Sequence, residues 1–361
     1  MSDTVQVFPV ILAGGKGERF WPWSTSKRPK QVLPLVDETP MLLRAIEMAR
    51  ALSKGNVIHI IISGNLHDEF TKELLGQNDV RIVTEPEGRD TAAAVALGAA
   101  LIRQINHLGV MSILTADHYI YPIEEFAKTF EVAANQAFKG ESLLTLGVIP
   151  TRPDTGFGYL EIAEKAEALK PVKVVQFVEK PNIEKATEYK ASGKYLWNSG
   201  MFLWRVDYFW GIFSNSLPEM ASVFESNSKA LEGSENPREE LKSFYGSLQK
   251  ISIDFGVMEK APAIECVPVS FGWEDLGSWD ALGAVNPVDE NNNIVQGNVV
   301  NLDTKNSILF SKANRSVVTF GLDNILVAEI DGVTVVANRE KIPDLKALVA
   351  HLRENGHESL L

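Results

Sequence analysis

The chain has 361 residues, a formal net charge of −12 at pH 7 and one cysteine. Its 45% hydrophobic and 23% charged residues suit a soluble globular protein of one large domain, or one large and one small. The acidic balance argues against a nucleic-acid surface, a lone cysteine excludes a disulfide framework or cysteine metal cluster, and no apolar run reaches the length of a membrane span. The N-terminus lacks a basic stretch leading into a clean apolar run, so no signal peptide is expected and the expected compartment is cytoplasmic.

Strand and helix signals alternate through the first half. Val7–Leu12 reads as a buried strand, Met41–Leu52 as a helix and Val57–Ile62 as a second strand. Val80–Val83 is a short strand, and an alanine-rich helix runs from Thr91 to Ile105 with Asp90 or Thr91 near its start. Val110–Leu114, a helix over Phe126–Phe138 and a strand over Leu143–Val148 follow. This βαβα rhythm predicts an α/β fold with a doubly wound, mixed but mostly parallel sheet, whose ligands sit beyond the carboxyl ends of the strands. Asn215–Glu240 is polar and reads as a surface insertion. Cys266, in an apolar run, reads as a core residue. From about Asn286 the texture turns to short β segments punctuated by Asn, Asp and Gly, and a final helix carries Leu345, Leu348, Val349 and Leu352 on one face. The expected division is residues 1–285 as a catalytic domain and 286–361 as a small β-rich, short β-helix-like module ending in a helix.

The turn after the first strand, Leu12-Ala13-Gly14-Gly15-Lys16-Gly17-Glu18-Arg19, brings backbone N–H groups close to any phosphate, because no Cβ intervenes. Arg19 and Lys30 add positive charge on the same side. The Walker A pattern and the dinucleotide fingerprint are both absent. By itself the glycine turn is equally a tight βα turn. Asp117 follows a buried strand and is either a Mg²⁺ ligand or a turn cap; Asp275, between glycines and two tryptophans, is the second metal candidate. His118 reads as a structural or ligand-orienting histidine.

The extended run Arg19-Phe20-Trp21-Pro22 with Pro29-Lys30-Gln31 and Leu33-Pro34 resembles the signature of sugar-nucleotide pyrophosphorylases, most closely the mannose-1-phosphate guanylyltransferase branch. Later segments resemble that family in order: Glu85–Ala92, Phe177-Val178-Glu179-Lys180-Pro181, Leu196–Phe202, Ser252–Lys260 and Gly272–Trp279. The resemblance implies a Rossmann-like nucleotidyltransferase fold and transfer of GMP from GTP to mannose 1-phosphate, giving GDP-mannose and pyrophosphate. It implies Leu12, Ala13, Gly14, Gly15, Asp90 and Thr91 at the nucleotide, and Arg19, Lys30 and Lys180 as the catalytic cations. Gly158, Glu179 and Asn198 would hold the sugar, with Asp254 shaping its pocket, and Asp117 and Asp275 would share Mg²⁺. No appended isomerase domain is expected. Asp90 stands where the family usually has Asn; as a pure acceptor it favours guanine over adenine, or it merely caps the helix. Other nucleotides or hexose phosphates remain open, as does a non-catalytic sugar-nucleotide sensor. Neither a nucleic-acid nor a membrane partner is expected; a homodimer is plausible from the exposed β edges.

Overall fold

The computed structural model describes residues 5–15, 17–231, 237–312 and 315–361. Lys16 of the glycine turn and residues 232–236 of the polar insertion lie outside the described residues. The first half contains β1 (Val7–Leu12), α1 (Met41–Ser53), β2 (Ile58–Ser63), α2 (His67–Glu73), β3 (Val80–Glu85), α3 (Asp90–Ile105), β4 (Val110–Thr115), β5 (His118–Tyr121), α4 (Ile123–Phe138) and β6 (Leu143–Val148). The middle adds β7 (Tyr159–Ile162), β8 (Val172–Val178), α5 (Ile183–Ser192), β9 (Tyr195–Arg205), α6 (Val206–Ser216), α7 (Pro218–Ser226), α8 (Arg238–Lys242), α9 (Ile253–Gly256), β10 (Ile264–Pro268) and β11 (Gly272–Asp275). The C-terminal part has β12 (Ile294–Gln296), β13 (Val299–Leu302), β14 (Ile308–Ser311), β15 (Val317–Phe320), β16 (Ile325–Ile330), β17 (Val333–Asn338) and α10 (Leu345–Glu354).

Nine strands form one mixed sheet in the order β3-β2-β1-β4-β9-β6-β10-β8-β7. All but β8 and β9 run in one direction, which bears out the mostly parallel expectation. The near-continuous apolar runs of β1, β2, β4 and β6 follow from burial on both faces. One face packs against α3, α6 and α7 through residues such as Val95, Phe209 and Phe224; the other packs against α1 and α4 through Ile46 and Phe130. Cys266 is buried in the first of these layers.

In the C-terminal part, β12, β14 and β16 stack in parallel, as do β13 and β15, which is the short coil expected. The repeat is marked by turns: Asn292, Asn306 and Asn324 all adopt left-handed backbone, at φ 61°, 53° and 57°. Asn suits that conformation better than most L-residues. The Asn292 amide donates to Asn306, and that of Asn306 to Asp323, so the turns stack as a hydrogen-bonded ladder.

The seam between this coil and the sheet is aromatic. Phe20, Trp21 and Trp23 share a core with Trp279, Phe310, Leu326 and Leu345. Trp23 lies 4.5 Å from Phe310 and 5.8 Å from Trp279, centroid to centroid. Trp21 of the signature run and the neighbouring Trp23 are therefore packing residues that fasten the glycine turn to the C-terminal part. Among the described residues no helix is long and apolar enough to cross a membrane.

Candidate active site

Parallel pairing puts the carboxyl ends of β3, β2, β1 and β4 along one rim, with Leu12 level with Ile61 and Thr115, and Ser63 level with Glu85. Two adjoining clefts open there and share Gly15, Gln31 and Asp117. One, of about 350 Å³, has walls that include Leu12, Gly14, Glu85, Asp90 and Thr91. The other, of about 430 Å³, is bordered by Arg19, Lys30, Asp275 and Lys346.

In the second cleft Lys30 is almost wholly buried, and its Nζ donates to Asp117 Oδ2 at 3.0 Å. Gly17 makes this possible: its φ is +68°, and a Cβ there would stand 2.4 Å from Lys30 Cβ. The Gln31 amide donates to Gly15 O at 3.0 Å and pins the glycine turn. Burial favours the neutral acid at Asp117, but Lys30 and His118 outweigh it and hold the carboxyl down at about 2. Asp117 is thus an ionised acceptor in the cleft. Arg19 is exposed and forms no ion pair with any described residue.

Asp275 reaches the same cleft through an antiparallel ribbon of β5 and β11, in which it pairs with His118. Trp273 Nε1 donates to His118 Nδ1 at 3.1 Å, which leaves the Nε2 of a neutral imidazole to carry the proton. Burial depresses the pKa of His118. The ring is a strut beneath the two aspartates, in keeping with a structural reading. Among the described residues no three His, Cys, Asp or Glu side chains gather as a metal cluster; two carboxylates, from Asp117 and Asp275, flank the cleft.

In the first cleft Asp90 has φ 65°, and its Oδ1 accepts the Thr91 N–H at 2.8 Å. It therefore both opens α3 and lines the pocket. Thr91 Oγ1 accepts the N–H of Ile253 at 2.8 Å, tying α9 to this wall. Glu85 is buried, and Tyr245 Oη donates to its Oε1 at 2.5 Å. Burial pushes its carboxyl up to about 7, partly opposed by the Tyr245 hydrogen bond and reinforced by the charge of Asp90.

A third group of side chains gathers at the ends of β8 and β9. Glu179 and Lys180 pair at 2.6 Å. Strand neighbours would point to opposite faces, but β8 ends at Val178 and Lys180 turns into left-handed backbone at φ 45°. Asn198 is buried; its Oδ1 accepts from Thr145 Oγ1 at 2.8 Å and its amide donates to Asp254 Oδ1 at 3.3 Å. Gly158 leaves room for this group, since a Cβ there would lie 2.6 Å from Glu179 Oε2. The segment after it is strand β7 from Tyr159 onward. Asp254, buried beside Glu179, has its carboxyl pushed up to about 7, burial being the largest cause. Gly200, at φ 70°, backs onto His118 and so joins this group to the aspartates.

One expected nucleotide contact does not reach the clefts. Ala13 is buried in the core beneath β1, lines neither cleft, and donates its N–H to Ile61 O at 2.9 Å.

Residues 8–292 match the family described as Nucleotidyl transferase. The chain belongs to that family. This nucleotidyl transferase is 36% identical over 362 residues to the xanthan biosynthesis protein XanB of Xanthomonas campestris pv. campestris, a match covering 99% of this chain and 74% of that protein. It is 33% identical to the mannose-1-phosphate guanylyltransferase of Salmonella montevideo, over 98% of this chain and 76% of that one. A crystal structure described as a mannose-1-phosphate geranyltransferase from Thermus thermophilus superposes with a TM-score of 0.84 at 30% identity, covering 97% of this chain and 100% of the other.

Glu85, Tyr245 and Lys346 of this nucleotidyl transferase do not stand out as site residues from sequence. For Glu85 a signal exists: a carboxylate closes an otherwise mostly apolar strand at the ligand-bearing end. Lys346 gives none, because its place depends on how α10 packs.

Proposed function

We propose that this nucleotidyl transferase moves GMP from GTP to α-D-mannose 1-phosphate, releasing pyrophosphate. The observation that carries the reading is the Lys30–Asp117 pair opposite Asp275, in a cleft continuous with the pocket of Gly14, Glu85, Asp90 and Thr91. The name of the Salmonella relative supports the choice of sugar and base. In the first cleft, carboxylates at Glu85 and Asp90 can accept from guanine N1–H and its exocyclic amine, whereas adenine N1 offers only an acceptor.

An oxygen of the sugar phosphate attacks the α-phosphorus, a new P–O bond forms, and the bond to the bridging oxygen breaks with pyrophosphate carrying away the electron pair. The chain's part is alignment and charge neutralisation. Lys180 holds the attacking phosphate; Glu179 and Asn198 accept from and donate to sugar hydroxyls. Lys30 and Arg19 steady the triphosphate, and Gly14 and Gly15 admit it to their backbone N–H groups.

Enzymes of this family generally depend on a divalent metal. Asp117 and Asp275 fit Mg²⁺ in particular: it takes hard oxygen donors, one or two carboxylates with phosphate oxygens and water, and Asp117 is ionised. When bound, the metal would offset charge on the reacting phosphates.

The test is to incubate the protein with GTP, ATP, UTP or dTTP against several hexose 1-phosphates and identify nucleotide sugars by mass spectrometry. GDP-mannose should dominate. Dominance of another pair would overturn the assignment of base or sugar, and tight binding without any product would favour a sensor.

The same reading divides the chain into a catalytic unit, 1–285, and a smaller one, 286–361. It also includes a homodimer, supported by the outward apolar residues Val300, Leu302, Val318 and Phe320 on adjacent strands of the coil. Light scattering that returns a monomer mass would remove the dimer.

A further inference from the structure

We propose that Lys346, supplied by the C-terminal helix α10, binds the pyrophosphate end of the nucleotide, so that the C-terminal part completes the active site. This rests on the reaction proposed above. Lys346 borders the cleft of Arg19, Lys30, Asp117 and Asp275. Its backbone is fixed against the glycine turn from several directions. Leu345 and Val349 are buried in the core that holds Phe20 and Trp21. Arg353, near the end of α10, approaches Glu18 at 3.5 Å. Trp21 Nε1 donates to Leu360 O at 2.9 Å, and Ser26 Oγ to Leu361 O at 2.8 Å. Lys346 therefore keeps a defined relation to Arg19, which sits on the neighbouring turn.

The balance of charge supplies the second argument. The cleft wall carries three carboxylates, Glu18, Asp117 and Asp275, and three cations, Arg19, Lys30 and Lys346. Lys30 is already engaged by Asp117. Arg19 and Lys346 are the two cations of this wall that form no ion pair with a described residue. A departing pyrophosphate is highly charged and needs cations that strengthen their hold as the leaving bond breaks. The exposed Lys346 ammonium and Arg19 guanidinium on the cleft wall meet that need, and charge-assisted bonds to phosphate oxygens are the strong kind.

The reverse reaction isolates the contact, because pyrophosphate is then a substrate in its own right. Wild type, Lys346→Ala and Lys346→Arg are compared in pyrophosphorolysis of GDP-mannose, with thermal midpoints measured alongside. The alanine variant should raise KM for pyrophosphate about tenfold, leave KM for GDP-mannose within about twofold, and be largely rescued by arginine. An unchanged KM for pyrophosphate overturns the proposal, as does an equal rise for both substrates, which marks a structural effect. A wild type inactive with GDP-mannose would instead refute the parent reaction. Calorimetric titration of pyrophosphate into wild type and Lys346→Ala then decides, equal affinities counting against Lys346.

Discussion

Asp275 sits directly across the β5–β11 ribbon from His118, the residue next to Asp117. Two carboxylates far apart in the chain are thereby held by one hydrogen-bonded ladder, with Trp273 bracing His118 from the same strand. Ladder register is a stiff constraint, because a one-residue slip reverses every side chain.

Asp275→Asn keeps the shape but removes a formal charge from the cleft. The expected outcome is a fall in kcat of about a hundredfold or more, with a higher Mg²⁺ concentration at half-activity and an unchanged thermal midpoint. A metal titration of both proteins checks this; an unaltered Mg²⁺ requirement counts against the ligand role.

Gly17→Ala should be destabilising and inactivating together. The added Cβ meets Lys30 Cβ at 2.4 Å and the backbone is left-handed, so about 2 kcal/mol or more is expected, with Lys30 displaced from Asp117. Gly55→Ala is the control: φ is +95°, but no atom lies within 4 Å of the new Cβ, so it bears the backbone strain with activity intact. Equal activity loss in both variants would refute the special role of Gly17.

Two buried groups give opposite pH slopes. His59, inside β2 with both ring nitrogens unpartnered, has its pKa lowered from 6.5 to about 4 by burial and by the charge of Arg81. Between those values the unfolded chain binds more protons, so stability rises with pH through this window, is complete above 6.5 and falls toward 4. Glu85, raised from 4.5 to about 7, acts in reverse: the folded chain binds more protons, and stability falls as pH rises from 4.5 through 7. His59→Leu should flatten the acid limb by up to about 3 kcal/mol, and Glu85→Gln should stabilise the protein at pH 8 by a similar amount. Denaturant melts across pH 4 to 8 test both, and slopes unchanged by the substitutions would contradict the assignments.

Lys180→Ala removes the cation at the end of β8. The expected signature is a rise of about tenfold or more in KM for the sugar phosphate, with GTP affinity nearly unchanged. Steady-state kinetics with each substrate varied checks it; an effect confined to GTP would move Lys180 to the nucleotide.

Much of this architecture is written in local signals. The strands that carry the rim are continuous apolar runs, and the glycine turn, Asp117 and Lys30 follow from chemistry close to them in sequence. What stays hidden depends on distant packing. The short ribbon β5–β11 has too few residues to show a period, yet it brings Asp275 to Asp117. The coil's repeat lies in Asn292, Asn306 and Asn324, whose unequal spacing hides it from a search for a fixed period. Ala13 resembles part of a phosphate turn because glycines follow it, but the strand's pairing with Ile61 extends one residue further. Lys180 reaches Glu179 only because the chain leaves β-conformation at that point. Trp21 belongs to the run that carries the resemblance, while its physical task, shared with Trp23, of fastening the C-terminal part to the cleft is visible only in the packed structure.

The most direct test of the central claim is pyrophosphate release from the purified protein with GTP, mannose 1-phosphate and Mg²⁺, each omitted in turn, beside the Lys30→Ala variant. The account predicts release that requires all three components and collapses in the variant without loss of fold. Release that persists without mannose 1-phosphate, or that survives the loss of Lys30, would contradict it.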